Sequence, residues 1–255
     1  MNNRILLTLL FSAVSLAAIA QQKGDPKATE YYTPVPKVVT PGSNHSAPSD
    51  AVILFDGKNL DEWVLEKDGK TPADWIVADN VITVNKKSGD IQTKRTFTDF
   101  QLHIEYRIPS NITGEGQARG NSGVFMASLK EGAGGYELQV LDNYKNTTYV
   151  NGQAGSIYKQ NPPLVNACLP PGEWQSYDVI WTAPRFNDDG SLKSPARVTA
   201  IHNGVLVQNN FELKGDTPYI GQPSYHKHGP APIKLQAHGD KSEPISYRNI
   251  WLREL

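Results

Sequence analysis

Gln101-Leu102-His103-Ile104-Glu105-Tyr106-Arg107 alternates apolar and polar side chains without a break. Successive side chains of a strand point to opposite faces, so Leu102, Ile104 and Tyr106 form a core face, and Gln101, His103, Glu105 and Arg107 project from the other. Tyr136-Glu137-Leu138-Gln139-Val140 repeats the pattern, with Glu137 and Gln139 opposite an apolar row. Ile233-Lys234-Leu235-Gln236-Ala237-His238 repeats it again, with Lys234, Gln236 and His238 as the polar row.

Working outward, similar short runs recur from Ala51 to the end: Trp75 to Val77, Val81 to Val84, Gly123 to Ala127, Ser176 to Thr182, Arg197 to Ile201 and Ser246 to Arg253. Clusters of Gly, Asn, Asp and Pro separate them, and Asp79-Asn80 and His202-Asn203-Gly204 are tight-turn signals. Helical periodicity is sustained nowhere, although Lys58 to Trp63 is compatible with one short turn. So many strands in a domain of this size predict an all-β fold of two stacked antiparallel sheets, a sandwich or jelly roll, with a closed barrel as the alternative.

The chain begins differently. A basic start ending at Arg4, an apolar run from Ile5 to Ala18, and the small-x-small Ala18-Ile19-Ala20 have the form of a cleavable export signal over residues 1–20. The run is too short for a membrane anchor, and no cysteine follows it for lipid attachment, so a periplasmic or secreted protein is expected. Residues 21–50 hold five prolines and few large aliphatic side chains, which predicts a disordered tether before a domain spanning 51–255.

Formal net charge is -1 and no basic cluster exceeds two adjacent residues, so nucleic acid and anionic membrane are poor partners. A small neutral ligand fits better. The lone cysteine, Cys168, excludes an internal disulfide and lacks a basic neighbour in sequence, so it reads as a small buried hydrophobe.

An ordinary solvated sheet face is usually rich in Lys, Thr and Ser. The three polar rows hold Glu, Gln, His and Arg instead, whose planar groups hydrogen-bond sugar hydroxyls in defined directions. Were the three strands to share one concave sheet, the rows would line a cleft. Arg119-Gly120-Asn121-Ser122-Gly123 adds a place where the backbone passes close to a neighbour, with Asn121 offering both a donor and an acceptor.

Taken in order, further segments carry a resemblance. They are Leu54-Phe55-Asp56-Gly57-Lys58-Asn59-Leu60 with Trp63, Thr93-Lys94 with Asp99-Phe100, Asn121-Ser122-Gly123-Val124-Phe125, and Gly135-Tyr136-Glu137-Leu138-Gln139-Val140-Leu141-Asp142. Gly155-Ser156-Ile157-Tyr158, Gly172-Glu173-Trp174, Asn203-Gly204, Leu235-Gln236-Ala237-His238-Gly239 and Tyr247-Arg248-Asn249-Ile250 follow. The series resembles the 3-keto-disaccharide hydrolase family. That resemblance implies a concanavalin A-like jelly roll and activity on glycosides already oxidised at C3.

The implied chemistry is coherent. A ketone at C3 acidifies the C2 proton, so one base can form an enolate and expel the C1 substituent. Hydration of the resulting enone then gives net hydrolysis. Such a site needs a base, an acid and a group to hold the enolate oxygen. On this reading Glu137 and His238 are the acid/base pair, with Glu105 as a third candidate. Asn121, Gln139 and Gln236 bind hydroxyls, Lys94 and Arg107 polarise the ketone, and Asp142 orients a neighbour. A divalent metal could replace the cationic side chains; no other cofactor is implied. The alternative is a lectin-like sugar-binding module on the same fold, which would need aromatic platforms but no activated base.

Overall fold

The computed structural model describes residues 24–130 and 134–255, so the expected export signal lies outside the described residues. The chain forms two compact units, Met1–Val38 and Val39–Leu255. The described part of the first is exposed throughout; its one element is a short 3₁₀ turn, Pro26–Thr29, capped by Asp25 Oδ1 on Lys27 N at 3.0 Å.

The second unit is built of strands. In chain order they are β1 (Val52–Phe55), β2 (Trp63–Leu65), β3 (Ile76–Ala78), β4 (Val81–Thr83), β5 (Ile91–Thr93), β6 (Phe100–Arg107), β7 (Ser122–Ser128) and β8 (Gly135–Val140). Then come β9 (Trp174–Thr182), β10 (Arg185–Phe186), β11 (Leu192–Ser194), β12 (Arg197–His202), β13 (Val205–Glu212), β14 (Lys234–Leu235) and β15 (Ser246–Glu254). The larger sheet runs β13-β12-β9-β6-β15-β4-β3 with β1 also paired to β15, the smaller runs β2-β5-β14-β7-β8, and β10-β11 is a separate hairpin. The fold is the all-β jelly-roll sandwich that the alternation predicts, with two distinct sheets and no closed barrel.

The core lies between the sheets. Leu102, Ile104 and Tyr106 of the larger sheet and Tyr136, Leu138 and Val140 of the smaller are all essentially inaccessible. Burial of each aliphatic side chain contributes roughly 1.5–3 kcal/mol. Trp181 of β9 meets Tyr136 of β8 at 5.2 Å between ring centroids. Two hydroxyls that cross the core are paired, as a low-dielectric interior favours. Tyr177 Oη donates to the Gln139 carbonyl at 2.8 Å, and Ser122 Oγ donates to the Gln236 carbonyl at 2.6 Å while lying 2.6 Å from Tyr247 Oη.

Asp79 and Asn80 both take positive φ and close the β3–β4 hairpin, as expected of a primed turn. Three expectations change. Lys58 to Trp63 forms no helix; Trp63 opens β2 and its indole N–H donates to the Leu54 carbonyl at 2.8 Å. The three polar rows do not share a sheet: β6 sits in the larger one, while β8 and β14 belong to the smaller.

The tether, finally, does not run to Asp50. The His45 ring stacks on His103 at 5.5 Å, and its carbonyl accepts from Asn249 Nδ2 and Trp251 Nε1, both at 3.0 Å. Asp50 pairs with Arg253 at 2.6 Å. A stretch too poor in aliphatic residues to form a core of its own is held here by one backbone carbonyl and an ion pair to β15 and by one ring laid over His103 of β6.

Candidate functional site

The smaller sheet builds the site through its register. Lys234 of β14 stands opposite Phe125 of β7, which stands opposite Glu137 of β8. One row along, Gly123 pairs with Gln139, and the Gln236 N–H donates to the Gly123 carbonyl at 3.0 Å. Side chains two apart share a face, so Glu137, Gln139, Gln236 and His238 leave the sheet on the side away from the core. They line a cavity of about 230 Å³ together with Asn121, Phe125, Tyr158, Thr217 and Tyr219.

Gly123 makes room for the carboxylate. A Cβ there would lie 2.5 Å from Glu137 Oε1 and 2.9 Å from Phe125 Cε2, closer than real Cβ atoms come. This is the close approach that the glycine-flanked Asn121-Ser122 segment predicts.

Glu137 is 6% exposed, and burial pushes its carboxyl up to about 8; Lys234 opposes the shift and Asp90 adds to it. The protonated form therefore predominates at neutral pH, which suits a general acid. His238 Nδ1 faces Asp240 Oδ2 at 2.8 Å. Burial would raise the Asp240 carboxyl, but His238, Ser242 and Lys86 hydrogen-bond its charged form and hold it well below the usual carboxylate range. An imidazole anchored through Nδ1 has Nε2 left for proton transfer.

The amides are arranged for hydroxyl ligands. Gln139 Nε2 donates to Asn121 Oδ1 at 3.1 Å, and Asn121 Nδ2 donates to the Gln117 carbonyl at 2.8 Å. Gln139 Oε1 and Gln236 Oε1 are buried acceptors without a partner among the described residues. Leaving such an atom unpaired costs about 1–3 kcal/mol, which an entering O–H group would offset.

The structure thus brings Asn121, Glu137, Gln139, Gln236 and His238 around one cavity. Glu105 is not among them: it lies in the larger sheet, bonded to Arg248 Nε at 2.6 Å and Asn249 Nδ2 at 2.8 Å. Burial would raise it, yet His103, Asn249 and Arg248 pull it down to about 2. Arg107 leaves the same sheet with its guanidinium 4.6 Å from the Trp174 ring centroid. Lys94 is exposed beyond β5, where its N–H bonds the Glu62 carbonyl. Asp142 is buried against Arg119 at 2.6 Å and accepts from the Tyr144 N–H, so it fixes the loop after β8 and does not line the cavity.

Asp240, Tyr158, Thr217 and Tyr219 escape sequence reasoning. The His238-Gly239-Asp240 spacing was a usable signal, because a carboxylate two residues on can bend back to an imidazole at a strand end. Tyr158 ends the Gly155–Tyr158 segment of the resemblance, where no role was assigned to it, and Thr217 and Tyr219 arrive from loops that carry no pattern.

A divalent metal finds little to hold it at this cavity, where Glu137 and His238 are the only ligand-type side chains in the lining and Asp240 is already bonded on both oxygens. Among the described residues the cluster suited by spacing is His45, His103 and Asp178, on the other sheet. Its two imidazoles are stacked at 12°, so their in-plane lone pairs do not converge. Cys168 has its thiol pushed up to about 12 by burial and is no nucleophile.

The sequence model of a family described as a 3-keto-alpha-glucoside-1,2-lyase-like domain matches residues 50–253. A 3-keto-disaccharide hydrolase of Bacteroides thetaiotaomicron is 25% identical over 157 residues, 51% of this chain and 51% of that protein. The match therefore spans about half the length of that curated relative. A crystal structure of a candidate glycosyl hydrolase from Parabacteroides distasonis is 55% identical, with a TM-score of 0.85 over 91% of this chain and 97% of that one. A second from the same organism is 21% identical, with a TM-score of 0.58 over 81% of this chain and 94% of that one, and shares the fold.

Proposed function

The chain belongs to the 3-keto-alpha-glucoside-1,2-lyase-like family, and from that premise we propose that it is an exported enzyme cleaving the C1–O bond of 3-keto glycosides. The observation that carries the reading is the pairing, in one cavity, of a carboxyl held protonated (Glu137) with an imidazole anchored by a carboxylate (His238 on Asp240). A lectin needs neither.

In the proposed reaction His238 takes the C2 proton and the electron pair moves toward the C3 ketone. Glu137 protonates the glycosidic oxygen as the C1–O bond breaks. The alcohol leaves, and a C1=C2 double bond conjugated to the ketone remains. Water then adds, oxygen to C1 and hydrogen to C2. The Glu137 carboxylate takes the water's proton and His238 returns one to C2, so both groups end as they began. Positioned acid and base groups of this kind each contribute about 10²–10⁴-fold. Gln139 and Gln236 would accept from ring hydroxyls through their unpartnered Oε1 atoms.

Export rests on the pattern of residues 1–20; among the described residues no helix is long and apolar enough to cross a membrane. Mass spectrometry of the mature protein tests it, with Gln21 as the expected first residue. For the chemistry, purified protein is incubated with a 3-keto glucoside in deuterated water, following aglycone release and deuterium at C2. Release with C2 labelling is expected. Binding of such sugars without cleavage would return the protein to the lectin class.

A further inference from the structure

The proposed reaction puts negative charge on the C3 oxygen. As His238 takes the C2 proton, the C2–H electron pair becomes a C2=C3 double bond and the carbonyl π pair moves onto oxygen. That pair returns to reform the ketone when the C1–O bond breaks. A positioned cation facing the oxygen lowers the barrier to forming the enolate. The two cations expected there from sequence, Lys94 and Arg107, lie away from the cavity.

Inside the cavity around Glu137, the buried amide oxygens of Gln139 and Gln236 have no partner among the described residues and would repel an anion. The Gln236 amide nitrogen and Tyr219 Oη can donate there, but neither carries net charge. That cavity adjoins a second one of about 480 Å³, and the two share Asn121, Tyr158, Tyr219 and His238. Lys159 lines the second cavity; among the described residues it is the one lysine or arginine in either lining. It therefore borders the same space as His238, the proposed base, and the carbon that His238 deprotonates adjoins the ketone.

The placement of Lys159 is built into the backbone. It takes φ +61 without being glycine, a conformation that costs energy and recurs at functional sites. The turn is tied on both sides: the Lys159 N–H donates to the Asn151 carbonyl at 2.8 Å, and the Tyr158 N–H donates to the Glu137 carbonyl at 3.2 Å. Lys159 is thus bonded, through its neighbour, to the residue that carries the acid.

Its ammonium is held by ring faces. Nζ lies 5.1 Å from the Tyr149 ring centroid, 5.8 Å from Tyr158 and 5.0 Å from Tyr219. Ring faces attract a cation without neutralising it as a carboxylate would. Among the described residues no carboxylate pairs with Nζ and no acceptor takes its hydrogens. Its charge and its three donors are uncommitted.

We infer that Lys159 is a catalytic residue that holds the C3 oxygen while the enolate forms. The inference rests on the proposed cleavage of 3-keto glycosides and supplies the group that this chemistry needs beyond its acid and base.

A 1,5-anhydro 3-keto sugar, with hydrogen in place of the C1 substituent, tests the step by itself, because it can enolise but has nothing to expel. In deuterated water the native protein should place deuterium at C2 of this compound. Lys159→Met keeps the stem over the rings and removes the charge. It should slow the labelling, and kcat on methyl 3-keto glucoside, by about a hundredfold, and Lys159→Arg should restore part of both. KM should stay within about threefold, because an ammonium gains far more from an enolate oxygen than from a ketone. Near-native labelling and turnover by Lys159→Met would overturn the role, and so would a raised KM with unchanged kcat, which marks a hydroxyl ligand. A native protein that cleaves the glucoside but leaves the anhydro compound unlabelled would keep the activity and overturn the role. If it does neither, the activity itself falls and the role with it.

Discussion

His238 Nδ1 lies 2.8 Å from Asp240 Oδ2, and Asp240 is in turn held by Lys86 Nζ at 3.0 Å and by Ser242. The imidazole is therefore oriented by a carboxylate that is itself fixed. Asp240 touches no substrate in the proposed reaction; it is a positioning residue. Asp240→Asn should lower kcat about a hundredfold with KM nearly unchanged, because the imidazole loses its anchor and not its place. Steady-state kinetics check this, and a rise in KM alone would point to a merely structural role.

Glu137 must be protonated to act as an acid. With its carboxyl near 8, the active form is present below that pH and is lost as pH rises through it. The turnover profile should have an alkaline limb near pH 8, and Glu137→Gln should remove both that limb and about a hundredfold or more of turnover. A limb that survives the substitution would assign it to another group.

Gly123→Ala tests the space kept for that carboxyl. The backbone there has ordinary φ, so the added methyl acts by its contact with Glu137 Oε1 rather than by strain. Displacing the acid should cost up to about a hundredfold in kcat, with overpacking destabilising the fold by roughly 1–3 kcal/mol. Kinetics and thermal denaturation of the same sample separate the two effects. Native turnover would show that the carboxyl is free to move.

Stability should fall as pH rises above neutral, through His103 and Glu137, with buried His202 acting in the opposite sense on the acid side. Burial lowers His103, but the Asp178 and Glu105 carboxylates overcome it and raise the imidazole to about 9. Its folded pKa lies above the unfolded value of about 6.5, so its contribution is whole below about 6.5 and is lost as pH rises toward 9. Burial lowers His202 to about 4. Between about 6.5 and 4 the unfolded chain takes up a proton that the fold refuses, which lowers stability as pH falls; Glu137, raised to about 8, opposes this above about 4.5, because there the fold keeps a proton that the unfolded chain has lost. Thermal midpoints across this range check the shape. His103→Gln should make the alkaline slope shallower and leave the share due to Glu137; an unaltered alkaline slope would exclude the ion pair as a source.

The alternation of Gln101–Arg107, Tyr136–Val140 and Ile233–His238 determined which side chains face the core, because a strand's period is a local property of the backbone. The order of short motifs from Leu54 to Ile250 determined the family in the same way, without knowledge of any contact. Which polar rows meet was not local. Glu105 and Arg107 have the same alternation as Glu137 and Gln139, but strand order sends β6 to the other sheet, where Arg248, Asn249 and Trp174 engage them. Likewise, nothing in a single strand foretells that Asp240 would turn back on His238, or that the loops carrying Tyr149, Tyr158 and Tyr219 would converge. Those relations depend on strand order and loop path, which pairing and packing between distant segments decide, and they fix where the site is and which groups share it.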